Sequence, residues 1–531
     1  MSYRHEEAII SPFAGLSVGL WLQQLADLHG DKTMLVFEPE EGPRRSWSYR
    51  GFVGEVAQIA GGLLGRGIRP GDRLLVHLEN CPETLLARFA CAWIGAVCVG
   101  TNPMAAGPEI AHFARATGAR AAITQPKFAD LVAAHCPDLS WIAVTHDDAG
   151  IAAPHTRKPE RAHAFALLKA DPPPPARLAP ETPVSIMFTT GTTSLPKAVV
   201  WTHANMLWAA RLNALQQQLR TDDVALFFLP LFHVVGLAWC TLSMLWVGGT
   251  VVLQPRFSRS RFWPAAIAHR ATVSSHVFAT IKLLGGTQMP AHSFRRFIYA
   301  RHEPEIERQF GVDLVSGWGM TEILTQAIVC EPGSRPPAGV IGRPSVGYAV
   351  RIVGEDGREV APGEQGELLI GGRRGLSIFL EYDGNAVATA DAFDAQGFFR
   401  TGDRVLLRED GWIAFADRIK DVLKVGGEGV SASEIEAVLA SDPVVRDVAV
   451  VGCPHDIYGE TPCAFVVLTA DAPAADGVRE SLIARCGADL ARFKVPTHIV
   501  FLEDLPRVGF GKINKVRLRE LAKNLPQAKK I

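Results

Sequence analysis

The sequence predicts an α/β protein. A large N-terminal portion of packed α/β layers on parallel sheets is followed by a small α+β domain of about a hundred residues. Three observations lead there. The N-terminal third alternates helix-period and strand-period apolar patterns, the rhythm of βαβ units. The chain has 531 residues, 48% of them hydrophobic and 21% charged, enough to bury a large core without disulfide or metal staples. A boundary falls at the charged stretch Asp417–Asp421, beyond which helix and strand signals begin afresh.

Apolar spacing makes Tyr49–Leu64 a helix, and Arg69-Pro70-Gly71-Asp72 turns the chain into the strand Arg73–His77. A helix over Pro82–Ile94, a strand at Val97–Val99, a helix near Glu109–Arg115 and a strand at Ala121–Thr124 follow. Asp171-Pro-Pro-Pro-Pro-Ala176, running on to Pro180, is a stiff extended connection at the surface. Val184–Met187 and Val312–Val315 are short apolar strands, each leading into a glycine-containing motif. From Val224 to Pro255 there is no Asp, Glu, Lys or Arg, and a membrane-spanning helix needs about 20 apolar residues. Pro230, His233, Gly236 and Gly248-Gly249 interrupt that run. It therefore reads as a buried strand Val224–Leu229, an apolar helix Val234–Trp246 and a strand Thr250–Leu253, with no membrane span. In the C-terminal part, Ser431-Ala-Ser-Glu434 has capping-box form ahead of the apolar stripe Ile435, Val438 and Leu439. Val444–Val451 and Ala464–Leu468 are strands.

Lys plus Arg number 54 against 55 Asp plus Glu, a formal net charge of −1. That balance offers no clustered cations for counterion release, so no nucleic-acid partner is expected. The composition also excludes a mainly disordered chain. Nine cysteines without a C-x-x-C pair point away from a disulfide framework or zinc cage and toward a reducing, cytoplasmic setting. Arg4, Glu6 and Glu7 interrupt the N-terminus, so no secretory signal is expected there. Ala528-Lys-Lys-Ile531 is not a peroxisomal tripeptide.

Five motifs bear chemistry. The first, Phe188-Thr189-Thr190-Gly191-Thr192-Thr193-Ser194-Leu195-Pro196-Lys197, follows a strand. Its hydroxyls, free amides and single ammonium suit polyphosphate oxygens. It is not a Walker A loop, because no Gly precedes the Lys and no Ser or Thr follows it; an ordinary hydroxyl-rich turn is the alternative. The second is Gly317-Trp318-Gly319-Met320-Thr321-Glu322. An indole between glycines can lie against a purine, Thr321 can donate to a phosphate and Glu322 can hold Mg²⁺ through oxygen; the alternative is simple packing in a glycine turn. In the third, Thr401-Gly402-Asp403, a carboxylate can accept from vicinal ribose hydroxyls, or close an Asx turn. The fourth runs from Asp417 through Arg418, Lys420, Lys424, Gly426, Gly427 and Glu428 to Val430. The fifth, Pro506-Arg507-Val508-Gly509-Phe510-Gly511-Lys512-Ile513, puts a lysine on a glycine-flexed loop.

In this order and spacing the five resemble the adenylate-forming superfamily of acyl-CoA synthetases, adenylating domains and luciferases, over nearly the whole chain. Pro230-Leu-Phe-His233-Val-Val-Gly236, Thr202-His203-Ala204-Asn205 and Asp456-Ile-Tyr-Gly459-Glu460 add to the likeness. The resemblance implies an N-terminal AMP- and acyl-binding domain over 1–418, with a smaller β subdomain, and a mobile lid over 419–531 hinged near Lys420. It implies a two-step ligase using ATP, CoA and Mg²⁺: a carboxylate displaces pyrophosphate from ATP, and a thiol then displaces AMP. By the same resemblance, Thr189, Thr190, Gly191, Thr192, Thr193, Ser194 and Lys197 hold the β/γ-phosphates. Gly317, Trp318 and Gly319 face adenine, Thr321 the α-phosphate, Glu322 the metal, and Asp403 and Arg418 the ribose. Lys512 bridges the attacking carboxylate and the α-phosphate. Phe232, Val235 and Gly236 belong to the acyl pocket, and Lys424, Gly426, Gly427 and Glu428 to the CoA path; His233 counts with Lys512, Thr321 and Glu322 among the catalytic candidates, as a pocket gate or else as packing. The Gly-Gly-Glu-x-Val stretch looks like the CoA ligases, and Phe257-Ser-Arg-Ser-Arg-Phe-Trp263 is similar to crotonobetaine/carnitine-type CoA ligases.

The chain departs from that pattern on the ATP side. Ser194 and Ala198 stand where the family has glycine. The expected small-residue adenine wall near Phe297–Glu303 is bulky here, and Trp318 replaces a Tyr. An alternative is therefore a member impaired in adenylation that completes acyl transfer from an adenylate supplied by a separate enzyme. A second alternative is a non-catalytic nucleotide- or adenylate-binding protein. The acid is expected to be hydrophobic, because the uncharged run surrounds the acyl motif; Trp201, Phe232, Val235, Met244 and Trp246 are candidates for the lining, with core packing the alternative for most of them. Two motifs are decoys: Gly15-Leu-Ser17-Val-Gly19 lacks the strand a nucleophile elbow needs, and Gly61-Gly62-Leu-Leu-Gly65-Arg-Gly67 reads as a helix C-cap.

Overall fold

The computed structural model describes residues 11–152, 159–189, 196–285, 289–418, 422–425, 428–455, 459–472, 475–490, 494–508 and 512–526. The chain forms two units. One comprises the chain up to Thr189, Lys197–Ala349 and Ile370–Phe398; the other includes Val350–Leu369 and Phe399–Ile531.

In the first unit, the alternating N-terminal pattern folds into a largely parallel sheet. Its strands run in the order Glu381–Tyr382, Ala198–Thr202, Pro183–Phe188, Val97–Gly100, Arg73–His77, Ala121–Thr124, Ile142–Val144 and Ala162–Ala164. Only the first two pairings are antiparallel. A second sheet has a parallel centre of Asp313–Trp318, Arg296–Tyr299, Val273–Ser275, Val224–Phe227, Thr250–Leu253 and Thr33–Phe37. Strands of both sheets are buried along most of their length, as near-continuous Val, Leu and Ile runs require. The uncharged Val224–Pro255 segment lies within this core. Its middle is a π-helix, Val235–Leu242, continued by the short α-helix Ser243–Trp246, where a single α-helix was expected. No helix among the described residues is long and apolar enough to cross a membrane.

The proline-rich connection is packed rather than loose. Trp93 donates through Nε1 to the Pro173 carbonyl at 2.8 Å, and Ser17 Oγ donates to the Ala176 carbonyl at 3.2 Å. Ser17 also caps the helix Val18–His29, accepting from the Leu20 amide; among the described residues no strand precedes it, so the hydrolase-like motif is a helix start. Gly61 and Gly62 lie inside the helix Tyr49–Gly65, and only the following Arg66-Gly67 ends it. This corrects their reading as part of a C-cap. A Cβ on either would enter the van der Waals radius of a carbonyl oxygen, that of Asp171 for Gly61 and that of Leu168 for Gly62. All nine cysteines are buried thiols.

Three buried histidines tie this unit to pH. Burial lowers His77 and His203 to about 4 and His276 to about 3, from an ordinary 6.5. His203 Nδ1 accepts from the Val18 amide at 3.1 Å, which requires a neutral ring. Below pH 6.5 the unfolded chain binds protons that the folded chain refuses. Stability is therefore expected to fall with pH, by about 2 kcal/mol per histidine between pH 7 and pH 5. Urea denaturation at the two values checks this, and a His203→Asn variant should show a shallower pH dependence.

In the second unit, the C-terminal residues form an α+β body. Val445–His455 and Gly459–Leu468 make a long antiparallel pair; Gly459–Leu468 also pairs at its Gly459 end with Val422–Val425, which pairs in turn with Glu428–Ser431, and in parallel with His498–Phe501 along Cys463–Val466. Ile435 and Leu439 of the helix Ala432–Ala440 enter a core with Val450, Val466 and Leu482. The strand expectations at Val444–Val451 and Ala464–Leu468 are met by these longer strands.

Candidate active site

The strand Pro183–Phe188 delivers the hydroxyl-rich motif, whose two ends are pinned together. The Thr189 amide donates to the Lys197 carbonyl at 3.0 Å, and the Lys197 amide to Thr189 Oγ1 at 3.1 Å. Thr190, Gly191, Thr192, Thr193 and Ser194 lie outside the described residues. Ala198 pairs in register with Phe188 as ordinary strand, so a Cβ in place of glycine costs nothing there.

The second motif begins as strand and becomes a turn only at Thr321-Glu322. The strand Asp313–Trp318 carries Gly317 and Trp318, which pair antiparallel with Val329 and Ile328. Their glycines are demanded by close approach. A Cβ on Gly317 would stand 2.6 Å from Gln326 Nε2 and 2.7 Å from the Ile328 oxygen, and one on Gly319 would stand 2.7 Å from the Trp239 ring. Trp318 is buried at the strand end. Just beyond it Leu324 adopts φ +65°, with its carbonyl taken by Trp239 Nε1 at 3.1 Å. A non-glycine residue held left-handed marks a strained position of the kind that clusters at functional sites.

These two motifs meet through side chains that sequence spacing does not reveal. Trp201 Nε1 donates to the Thr321 carbonyl at 2.9 Å, and the Phe379 amide to the Glu322 carbonyl at 2.8 Å. Glu322 is buried, and Tyr382 Oη donates to its Oε1 at 2.8 Å. The ammonium of Lys197 lies over the Tyr382 ring, 4.5 Å from its centroid. Burial, then the neighbouring Glu322 charge, pushes the Tyr382 phenol far above its usual range, so it stays a donor. Tyr382 itself comes from a two-residue strand paired with Val199 of Ala198–Thr202.

In the apolar motif, His233 and Phe232 are half-buried, and Val235 packs partly against the core. Gly236 is required because a Cβ would strike the Leu229 and Pro230 carbonyls. The expected lining residues Trp201 and Met244 are fully buried, and Trp246 stacks against Trp21 with centroids 5.9 Å apart. All three pack against core neighbours. Within the stretch expected to wall adenine, Phe297 turns its ring into the core, 4.3 Å from His276 and 5.2 Å from Phe294.

The remaining predicted residues belong to the second unit. Asp403 is not in a tight turn but in the strand Phe399–Leu407, buried, directly across an antiparallel ladder from Arg418. The third and fourth motifs are thus brought together. Lys424 and Glu428 pair through their backbones with Gly429 and Val425 as a hairpin, and the backbone of Lys512 pairs with Val508. Lys420, Gly426 and Gly427 lie outside the described residues.

The family described as AMP-binding enzyme matches residues 22–382, and its C-terminal domain matches 434–512. Crotonobetaine/carnitine–CoA ligases of Salmonella arizonae and Citrobacter koseri are 34% and 32% identical to this chain, each covering 94% of it and 98% of the relative. Among solved structures, an anthranilate CoA ligase in complex with anthranoyl-AMP is similar at a TM-score of 0.84 and 25% identity, over 96% of this chain and 98% of that one. A benzoate CoA ligase from Burkholderia xenovorans is similar at 0.82 and 26%, over 95% and 100%. The chain therefore belongs to the AMP-binding enzyme family, as an acyl-CoA ligase that joins a carboxylic acid to CoA through an acyl-AMP intermediate.

Proposed function

We propose that this ligase activates a predominantly hydrophobic acid and carries out both half-reactions with its own residues. The observation that carries this is the convergence of Lys197 and Glu322 on Tyr382 at the ends of two parallel-sheet strands, where ligands of open α/β sheets are expected. In the first step an acid oxygen attacks the α-phosphorus of ATP and the bond to pyrophosphate breaks. In the second the CoA sulfur attacks the acyl carbonyl, AMP leaves and the thiol proton is lost.

Thr189–Lys197 receives the β/γ-phosphates, Trp318 packs on adenine between Gly317 and Gly319, and Thr321 donates to the α-phosphate. Asp403 and Arg418 take the ribose. Lys512 stabilises charge that builds on the α-phosphate and the attacking carboxylate, an interaction strongest in the transition state. Residues 419–531 act as a lid that pivots near Lys420, replacing Lys512 with the Lys424–Glu428 hairpin; Gly426 and Gly427 let pantetheine run close to backbone. His233, Phe232, Val235 and Gly236 border the acyl group. Buried cysteines support a cytoplasmic setting.

Glu322 is a buried carboxylate, and no cluster of three metal-ligating side chains exists among the described residues. One carboxylate plus substrate phosphates is the usual Mg²⁺ arrangement, so the residues fit that ion. When bound, it would neutralise phosphate charge, and Glu322 would hold it.

Acyl-CoA formation from a panel of acids tests the substrate reading. Medium-chain and aromatic acids should be turned over at least tenfold more efficiently than malonate, since apolar walls leave a distal carboxylate unpaired. Efficient turnover of malonate would contradict it.

A further inference from the structure

Tyr382 lies sixty residues from Glu322 in sequence, outside every motif singled out above, yet it touches two of them. Its hydroxyl fixes one oxygen of the buried Glu322 carboxylate at 2.8 Å. Its ring carries the Lys197 ammonium on the face, at 4.5 Å from the centroid. The residue is itself held from three sides. Its backbone pairs with Val199, its amide donates to Thr389 Oγ1 at 3.0 Å, and its ring packs on Phe379 at 4.8 Å. Phe379 in turn anchors the Glu322 backbone. A phenol so constrained has little freedom to do anything but present the two groups it touches.

We infer that Tyr382 is the positioning residue of the ATP half-reaction, orienting the Glu322 carboxylate through its hydroxyl and seating the Lys197 ammonium on its ring. The inference rests on the ligase reading above and names how two of its residues are held. A hydroxyl that orders a metal-binding carboxylate acts from outside the coordination sphere, and loss of such partners costs roughly 10–100-fold in metal affinity or activity. The ring supplies a second, separable effect: a cation over an aromatic face is attracted to the ring quadrupole.

Tyr382→Phe removes the hydroxyl and keeps the ring; Tyr382→Leu removes both. Binding of the non-hydrolysable α,β-methylene analogue of ATP is measured by calorimetry with and without Mg²⁺, beside ATP–pyrophosphate exchange and CoA transfer from a preformed acyl-adenylate. For Tyr382→Phe, the Mg²⁺-dependent gain in analogue affinity should shrink about tenfold or more. Affinity without Mg²⁺ should stay unchanged, exchange should fall in parallel, and CoA transfer should hold within about twofold. Tyr382→Leu should in addition weaken metal-free analogue binding, through loss of the Lys197 seat. A merely structural role would lower melting temperature and both half-reactions together, leaving the Mg²⁺ gain intact. An unchanged Mg²⁺ gain in folded Tyr382→Phe overturns the inference while leaving the ligase intact. If the unmodified chain fails to bind the analogue at all, both the inference and ATP use by this chain fall.

Discussion

Lys512→Ala is expected to lower acid-dependent ATP–pyrophosphate exchange by about 10²–10³-fold, the usual effect of deleting one donor aimed at charge developing in a transition state. Transfer of CoA from a preformed acyl-adenylate should survive within a few fold, because the role proposed for Lys512 is confined to the step that joins acid and α-phosphate, which is already complete in that substrate. Analogue binding should change little, since the proposed role sets the lysine against the transition state more than against bound ATP. The lysine's backbone pairs with Val508 in a two-residue ladder, so truncating its side chain leaves that pairing available. A variant that keeps full exchange would remove Lys512 from the chemistry. A variant that loses both half-reactions equally would point to damage to the C-terminal body, which its melting curve would show.

Gly62→Ala should produce the largest stability loss of any single methyl added to the first unit. The helix Tyr49–Gly65 meets the strap formed by Leu168 and the proline-rich connection that follows it through Gly61 and Gly62, and the new methyl would overlap the Leu168 carbonyl oxygen and approach its carbon and Cα. The obstacle is backbone, which cannot swing aside like the end of a side chain. Overpacking of this kind costs about 1–3 kcal/mol and occasionally more. The upper end is expected here, because the strap is also fastened at Pro173 and Ala176. Gly54→Ala in the same helix is the control: a Cβ there meets nothing within 4 Å. Alanine should then stabilise by roughly 0.5–1 kcal/mol through helix propensity. Chemical denaturation of the two variants should move the midpoint in opposite directions. Equal midpoints would mean that the strap yields.

Much of the fold was legible because punctuating residues stand at its boundaries. Arg73–His77, Pro82–Ile94, Ala121–Thr124 and Thr250–Leu253 coincide with the sequence-derived spans, each bounded by a Gly, Pro or polar turn. The misses have a common cause. Periodicity along one segment does not report pairing with another, so Gly317-Trp318 and Asp403 were placed in turns although antiparallel partners hold them extended. The π-helical path over Val235–Leu242 has no apolar period of its own to betray it. The site shows the same division. Lys197, Glu322, Asp403 and Arg418 were visible as motif residues. Tyr382 was not, and Trp201 was visible only as a candidate for the acyl wall, because their hydrogen bonds reach residues 60 and 120 positions away.

The most direct test of a self-sufficient two-step ligase is mass-spectrometric detection of acyl-CoA from two parallel feeds, with CoA and Mg²⁺ in both. One feed holds ATP and a pool of hydrophobic acids; the other holds the matching preformed acyl-adenylates. The expected result is acyl-CoA from both feeds, with the same acyl masses. Product from the adenylate feed alone would contradict it, and would place the first half-reaction on a separate adenylating enzyme.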